Sequence, residues 1–122
     1  MIPFGTHTAT LFHRQRIETD GRAGEEWTKQ LLSGCSWRER VISYAAATEV
    51  VRSAETVCRI PPDQPKPAVG DVLVKGDCAD IVNTAADAAR LIDRYGYDSA
   101  FRVSSVADNT GAHLPHWTAR GG

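Results

Sequence analysis

No apolar run in this 122-residue chain is longer than a few residues, far short of the ~20 that carry a helix across a bilayer. Met1 is followed by Ile-Pro-Phe-Gly, without the charged and apolar regions of a secretory signal, so the expectation is a cytosolic, unprocessed protein with no membrane partner. Neither sign of charge prevails: 14 Lys and Arg face 15 Asp and Glu, the net charge is -1, and the signs alternate along the chain. That balance argues against the basic tail or polycationic stripe of a nucleic-acid binder. Cysteine is scarce and odd in number, and the wide spacing of Cys35, Cys58 and Cys78 fits neither a disulfide framework nor a CxxC metal site. Buried free thiols are expected. Aromatic residues make up only 7%, so Trp27, Trp37 and Trp117 carry much of whatever core the chain can build.

What the chain does have is extended segments punctuated by turn residues. Between Thr6 and His13 the residues alternate with period two and read as a strand. Asp20-Gly21 and Gly24 then let the chain reverse, which predicts a long hairpin loop over 16–25. Glu26 to Leu32 returns as a strand, Ser33-Gly34 breaks or bulges it, and the run to Val41 continues extended. Ala45 to Arg52 is ambiguous, because its alanines favour helix and Val50-Val51 favour strand; a projecting loop is expected near 42–53. Ala54 to Ile60 alternates again and stops at Pro61-Pro62, after which four prolines in all predict a third projecting connector over 61–68.

Val69 to Gly76 reads as a short buried strand between glycines. Thr84 can cap a helix over 84–95, Asp87 suits its dipole, and Gly96 stops it. Ala88, Leu91, Ile92 and Tyr95 give that helix a single apolar face to lay against a sheet. Ala100 to Val106 is read as one strand, Asp108 to Gly111 as a turn, and Leu114 to Arg120 as the returning strand. The fold class expected is mainly β (α+β): one domain over 1–122, a six- to seven-stranded antiparallel barrel or sandwich with one helix before the C-terminal hairpin.

Residue sets that could carry chemistry are thin. His113 and His116 have a zinc-like spacing, but Pro115 between them forbids the helix that would converge them, and His7 and His13 lie too far apart along a strand. Asp71, Asp77 and Asp80 lack the ligand ladder of a calcium loop and read as solvated loop carboxylates. A Cys78 and His113 nucleophile pair has no local signature. No catalytic residue, cofactor or metal is expected. Arg14, Arg16, Asp20, Arg22 and Glu25, in or beside the first hairpin loop, suit subunit-to-subunit ion pairs; Trp37, Arg38 and Arg40 complete the candidate interface set.

Segments across nearly the whole chain share their order with one protein group. They are Ala9-Thr-Leu-Phe-His-Arg14, Glu26-Trp-Thr28, Ser33-Gly-Cys-Ser-Trp37 and Ala54-Glu-Thr-Val-Cys-Arg-Ile-Pro61. Val69-Gly-Asp-Val-Leu-Val-Lys-Gly76, Phe101-Arg-Val-Ser-Ser-Val-Ala-Asp-Asn109, His116-Trp117 and Gly121-Gly122 follow. In this order the chain resembles the head-tail connector, or head-completion, proteins of tailed bacteriophages, often labelled minor capsid protein in phages and prophages of Gram-positive bacteria. It departs from that pattern at Ala45 to Arg52, where a glycine-rich loop is usual.

The resemblance implies a non-enzymatic virion protein of the neck, at the head-tail junction. One copy would work within a homo-oligomeric ring, sixfold or twelvefold, between portal or adaptor proteins and tail proteins of the same phage. DNA would pass through the channel without sequence-specific binding. Such a ring needs a heterologous interface. Three other readings stay open: a tail-terminator ring subunit, a small-barrel nucleic-acid binder using Trp37, Arg38 and Arg40, and a small cysteine enzyme using Cys78.

Overall fold

The computed structural model describes residues 7–45, 50–96, 99–111 and 115–121; at residues 19, 40–45 and 50–54 only the backbone is described. The chain runs β1 (His7–Thr19), β2 (Arg22–Ala45), β3 (Val50–Ile60), β4 (Val72–Lys75), α1 (Ala85–Tyr95), β5 (Ala100–Arg102), β6 (Ser105–Asp108) and β7 (Trp117–Gly121). All strand pairs are antiparallel, in the order β5-β4-β1-β2-β3-β7-β6, and the seven-stranded sheet curls into a half-barrel with one helix. The expected mainly β fold with a single helix is what the chain adopts. The one described helix is too short to cross a membrane.

Strand β2 organises the sheet. Its first half pairs with β1 and its second half, from Ser36 to Ala45, pairs with β3. At the junction, two steps along β1 from His7 to Ala9 face three along β2 from Cys35 to Leu32, so β2 carries one extra residue beside Gly34, whose φ is 69°. This is the bulge that Ser33-Gly34 foretold, and it has a packing consequence. A one-residue insertion switches the face to which later side chains point. Leu32 before the bulge and Cys35 and Trp37 after it all face the barrel interior, which a regular strand could not achieve.

The two faces of β1, β4 and β5 build two cores. Leu11, Leu73 and Phe101 point into the barrel, where they meet Leu32, Trp37, Cys58, Ile60, Val103 and Ala119. Phe12, Val72, Val74 and Ala100 point out and are roofed by Ala88 and Leu91 of α1, with Cys78 and Val82 filling the loop that precedes it. Each fully buried Leu, Val or Phe stabilises the fold by about 1.5–3 kcal/mol relative to exposure. The helix itself starts where expected: Thr84 Oγ1 accepts from Asp87 N at 3.1 Å, and Gly96 N–H bonds Ile92 O at 2.9 Å.

Four sequence expectations change. The run from Ala100 onward is two strands, because the chain leaves the β4 edge at Val103–Ser104 and joins β7 at the opposite edge. Val103 N–H to Asp71 O (2.8 Å) and Ser104 N–H to Arg120 O (2.7 Å) stitch the two edges together there. The expected loop over 16–25 is a hairpin paired to its last residues, Thr19 with Arg22, across a tight turn at Asp20 (φ 53°) and Gly21 (φ 75°). The sequence Asp-Gly accepts both positive φ values that this turn demands. Of the expected loop over 42–53, residues 42–45 and 50–53 are strand, pairing from Ile42 with Ser53 to Ala45 with Val50; residues 46–49 lie outside those described.

The third connector, 61–68, does not project. Pro61 and Pro67 are buried, Gln64 accepts the Ser33 N–H at 3.1 Å, and Lys66 Nζ lies 4.9 Å from the Trp117 ring centroid. A proline-rich segment loses little entropy on ordering, which suits it to this strap-like path.

Candidate subunit interface

Two hairpin arms leave the half-barrel. The first is the distal part of β1 and β2: β4 flanks β1 only from Ala9 to Phe12, so from His13 outward the ribbon has two strands. The second is the distal part of β2 and β3, which β7 flanks only from Thr56 to Ile60. Both arms therefore grow from one strand.

The root of the first arm is tied down by a buried carboxylate. Asp71, with no exposed surface, receives the Arg14 N–H at 3.0 Å, the Ala68 N–H at 2.8 Å and a contact from His13 Nδ1 at 2.9 Å. Three partners converge on one buried carboxyl group, so this cluster anchors β1 to the loop before β4. The expectation of a solvated Asp71 is thus overturned: its partner His13 lies 58 residues away, in β1. The guanidinium of Arg14 packs over Gly70, where a Cβ would lie 2.7 Å from Arg14 Nη2, and reaches Glu25 Oε1 at 3.8 Å. A half-exposed pair of this length contributes at most about 1 kcal/mol.

Farther out, Arg16, Asp20, Arg22 and Glu25 are exposed, and Ile17, Asp20, Arg22, Ala23 and Gly24 line a shallow groove at the tip. The structure thus brings five of the candidate interface residues, Arg14 included, onto one arm. Trp37 does not join them. It is 7% exposed and packs at 5.3 Å and 58° against Phe101 inside the barrel, so its place in the interface set is corrected to core.

That placement also separates Trp37 from Arg38, its neighbour on the opposite face of β2, and takes the indole away from any base-stacking role. Arg38 is exposed and, with Ser36, Glu39, Val57, Arg59 and Arg120, lines a groove of about 330 Å³ across β2, β3 and β7. Arg120 Nε lies 3.8 Å from Glu55 Oε1. Arg40 stands opposite Glu55 in the β2–β3 ladder. Sequence reasoning missed Arg59 and Arg120 because only the cross-strand register aligns them with Arg38. The period-two spacing of Arg38 and Arg40 is the sole hint.

Beyond the arms, a second polar cluster ties the loop before α1 to the end of that helix. Tyr95 OH donates to Asp80 Oδ2 at 2.8 Å, Arg94 Nη1 reaches Asp80 Oδ1 at 3.2 Å, and Cys78 Sγ is 3.6 Å from both Asp80 Oδ2 and Tyr95 OH. The Tyr95 hydrogen bond, helped by the Arg94 charge, holds the Asp80 carboxyl below the usual range, and the bonds to Cys78 and Asp80 push the Tyr95 phenol up. All three thiols are buried, as expected. That of Cys58 is pushed well up by its hydrogen bond with Cys35 and by burial, which makes it a poor nucleophile. Among the described residues no group of three or more His, Cys, Asp or Glu converges as a metal site. His116 sits near Asn109 (3.3 Å), and His113 lies outside the described residues.

No curated protein and no solved structure matches this chain. A family model described as a family of unknown function (DUF6751) matches residues 4–122, nearly the full length. The chain belongs to that family.

Proposed function

We propose that the protein is a structural subunit of the head-tail connector of a tailed bacteriophage, acting as one copy in a ring that continues the DNA channel between portal and tail. The observation that carries this reading is the pair of arms on a single 24-residue strand, both projecting from one half-barrel. A ring subunit needs two different surfaces, one for each neighbour. Two arms emerging from opposite halves of β2 supply them. The mixed charges of the first arm, Arg14, Arg16, Asp20, Arg22 and Glu25, suit oriented ion pairing between copies. The order of segments shared with connector proteins points the same way.

Two rivals keep a specific footing. The groove gathers the guanidinium groups of Arg38, Arg59 and Arg120, which favours a phosphate-facing role, although Glu39 lines it too, Glu55 sits against Arg120 and the buried Trp37 removes the aromatic platform. A tail-terminator ring is the other rival, since any closed ring needs two neighbour surfaces.

Electron microscopy of virions that carry a C-terminal tag on this chain tests the reading. Gold label at the junction between head and tail is the expected result. Label at the tail side of an assembled neck would shift the assignment to a terminator, and purified virions without the chain would overturn it.

A further inference from the structure

The first arm has an open strand edge. Ser33 N–H points away from β1, to Gln64, while the Thr8 carbonyl and the Arg14 N–H, on β1, point toward β4 and its flanking loops. Opposite residues in the ladder share this sense, so Ala23, Glu25, Trp27, Lys29 and Leu31 turn their N–H and C=O groups away from β1. Among the described residues no strand pairs with this edge, because β3 joins β2 only from Ser36 onward. An unpaired run of this length is a template for another strand.

Its two limits lie on either side of Trp27. The Asp20-Gly21 turn closes one end, and the Gln64 side chain occupies the edge at Ser33 at the other. If a second copy lies antiparallel along this edge with Trp27 opposite Trp27, Glu25 of each chain falls opposite Lys29 of the other, and Ala23 falls opposite Leu31, which is 51% exposed in the single chain. Charged residues on an edge usually keep strands apart. Here this register turns them into two complementary pairs and covers the exposed Leu31 of each copy.

We propose that two copies of the free chain pair through the β2 edges of their first arms, antiparallel and centred on Trp27. This contact is isologous and cannot itself close a ring, so it stands apart from the connector reading and is a property of the unassembled chain.

Sedimentation equilibrium of the full chain and its charge variants provides the test. The unaltered chain is expected at twice the monomer mass. Glu25→Lys alone sets a new lysine against the native Lys29 of the other copy, and Lys29→Glu alone sets a new glutamate against the native Glu25, so each variant sediments as a monomer. An equimolar mixture of the two variants pairs unlike chains, bringing two lysines of one against two glutamates of the other, and regains the dimer mass. A monomeric unaltered chain, a mixture that stays monomeric, or an oligomer that neither variant weakens would each overturn the proposal. Hydrogen exchange on the unaltered chain gives an independent reading should a variant misfold. Raising the concentration should protect the amides of Ala23, Glu25, Trp27, Lys29 and Leu31 and leave those of Gly24, Glu26, Thr28 and Gln30 unchanged; equal behaviour of the two sets would overturn it.

Discussion

Gly121 of β7 lies so close to the carbonyl of Arg102 that a Cβ there would overlap it and press on the Phe101 ring. This is the seam where the two ends of the sheet approach, and Phe101 in turn carries Trp37 at 5.3 Å. Gly121→Ala should therefore destabilise the fold by about 1–3 kcal/mol, the usual cost of forcing atoms into a filled core. A lowered midpoint in urea, with an unchanged slope, is the expected measurement; an unchanged midpoint would mean the seam is looser than described.

Trp37 and Arg38 are adjacent in sequence and opposite in consequence. Trp37→Ala empties the centre of the barrel and should cost about 3–5 kcal/mol, whereas Arg38→Ala should stay within about 0.5 kcal/mol. Chemical denaturation of the two variants checks the pair. Comparable losses would contradict the face assignment that the Gly34 bulge imposes.

Removing Asp71 should loosen both the first arm and the proline strap. In Asp71→Ala the N–H groups of Arg14 and Ala68 lose their acceptor at a partly buried position, at a cost of about 0.5–1.5 kcal/mol for each bond lost. Faster proteolysis within 61–70 is expected alongside the lower stability. Asp71→Asn retains one acceptor oxygen and should fall between the two.

The Asp80 and Tyr95 pair sets a pH window. The Asp80 carboxyl is depressed from its ordinary 3.8, so its contribution is present above that value and fades as pH falls through the lower folded value. The Tyr95 phenol is raised from 10.0, so its contribution is present below that value and is lost as pH climbs through the higher folded value. Tyr95→Phe should lower the melting temperature across the middle range, with the difference narrowing at both extremes. A constant difference at every pH would show that the hydroxyl acts only through packing.

Cys35, Cys58 and Cys78 should resist thiol reagents together. All three are buried, out of reach of a reagent in the folded chain, so labelling at neutral pH should be slow until denaturant is added and should then count three thiols. Rapid labelling of Cys78 alone in the folded protein would revive a cysteine-enzyme reading.

Local signals in the sequence read true where a single segment contains its own cause. Thr84, Asp87 and Gly96 bracket the helix, and Ser33-Gly34 marks the bulge, because caps and positive φ are decided within a few residues. The arms were hidden for a physical reason. Arg16-Ile-Glu-Thr19 and Arg22-Ala-Gly-Glu25 form a two-stranded ribbon in solvent, so no apolar alternation betrays the strands. In the second arm the helix preference of Ala45 competes with the strand preference of Val50 and Val51, which pair as strand only through β2 and β3 register. The burial of Asp71, the split of Ala100 to Asp108 between two sheet edges, and the alignment of Arg38 with Arg59 and Arg120 all depend on long-range register. No window of sequence contains that information.

Strand β2 is one covalent rod of 24 residues, a contour of roughly 80 Å at about 3.3 Å per residue. Whatever grips its first arm is linked through backbone alone to whatever grips the second, with the barrel as fulcrum between them. Among the described residues the Gly34 bulge is the one break in its ladder with β1, and it sits where pairing with β1 gives way to pairing with β3. At a φ of 69° a side chain would be strained, so replacing Gly34 acts at the joint between the two pairings and not at the tip of the first arm.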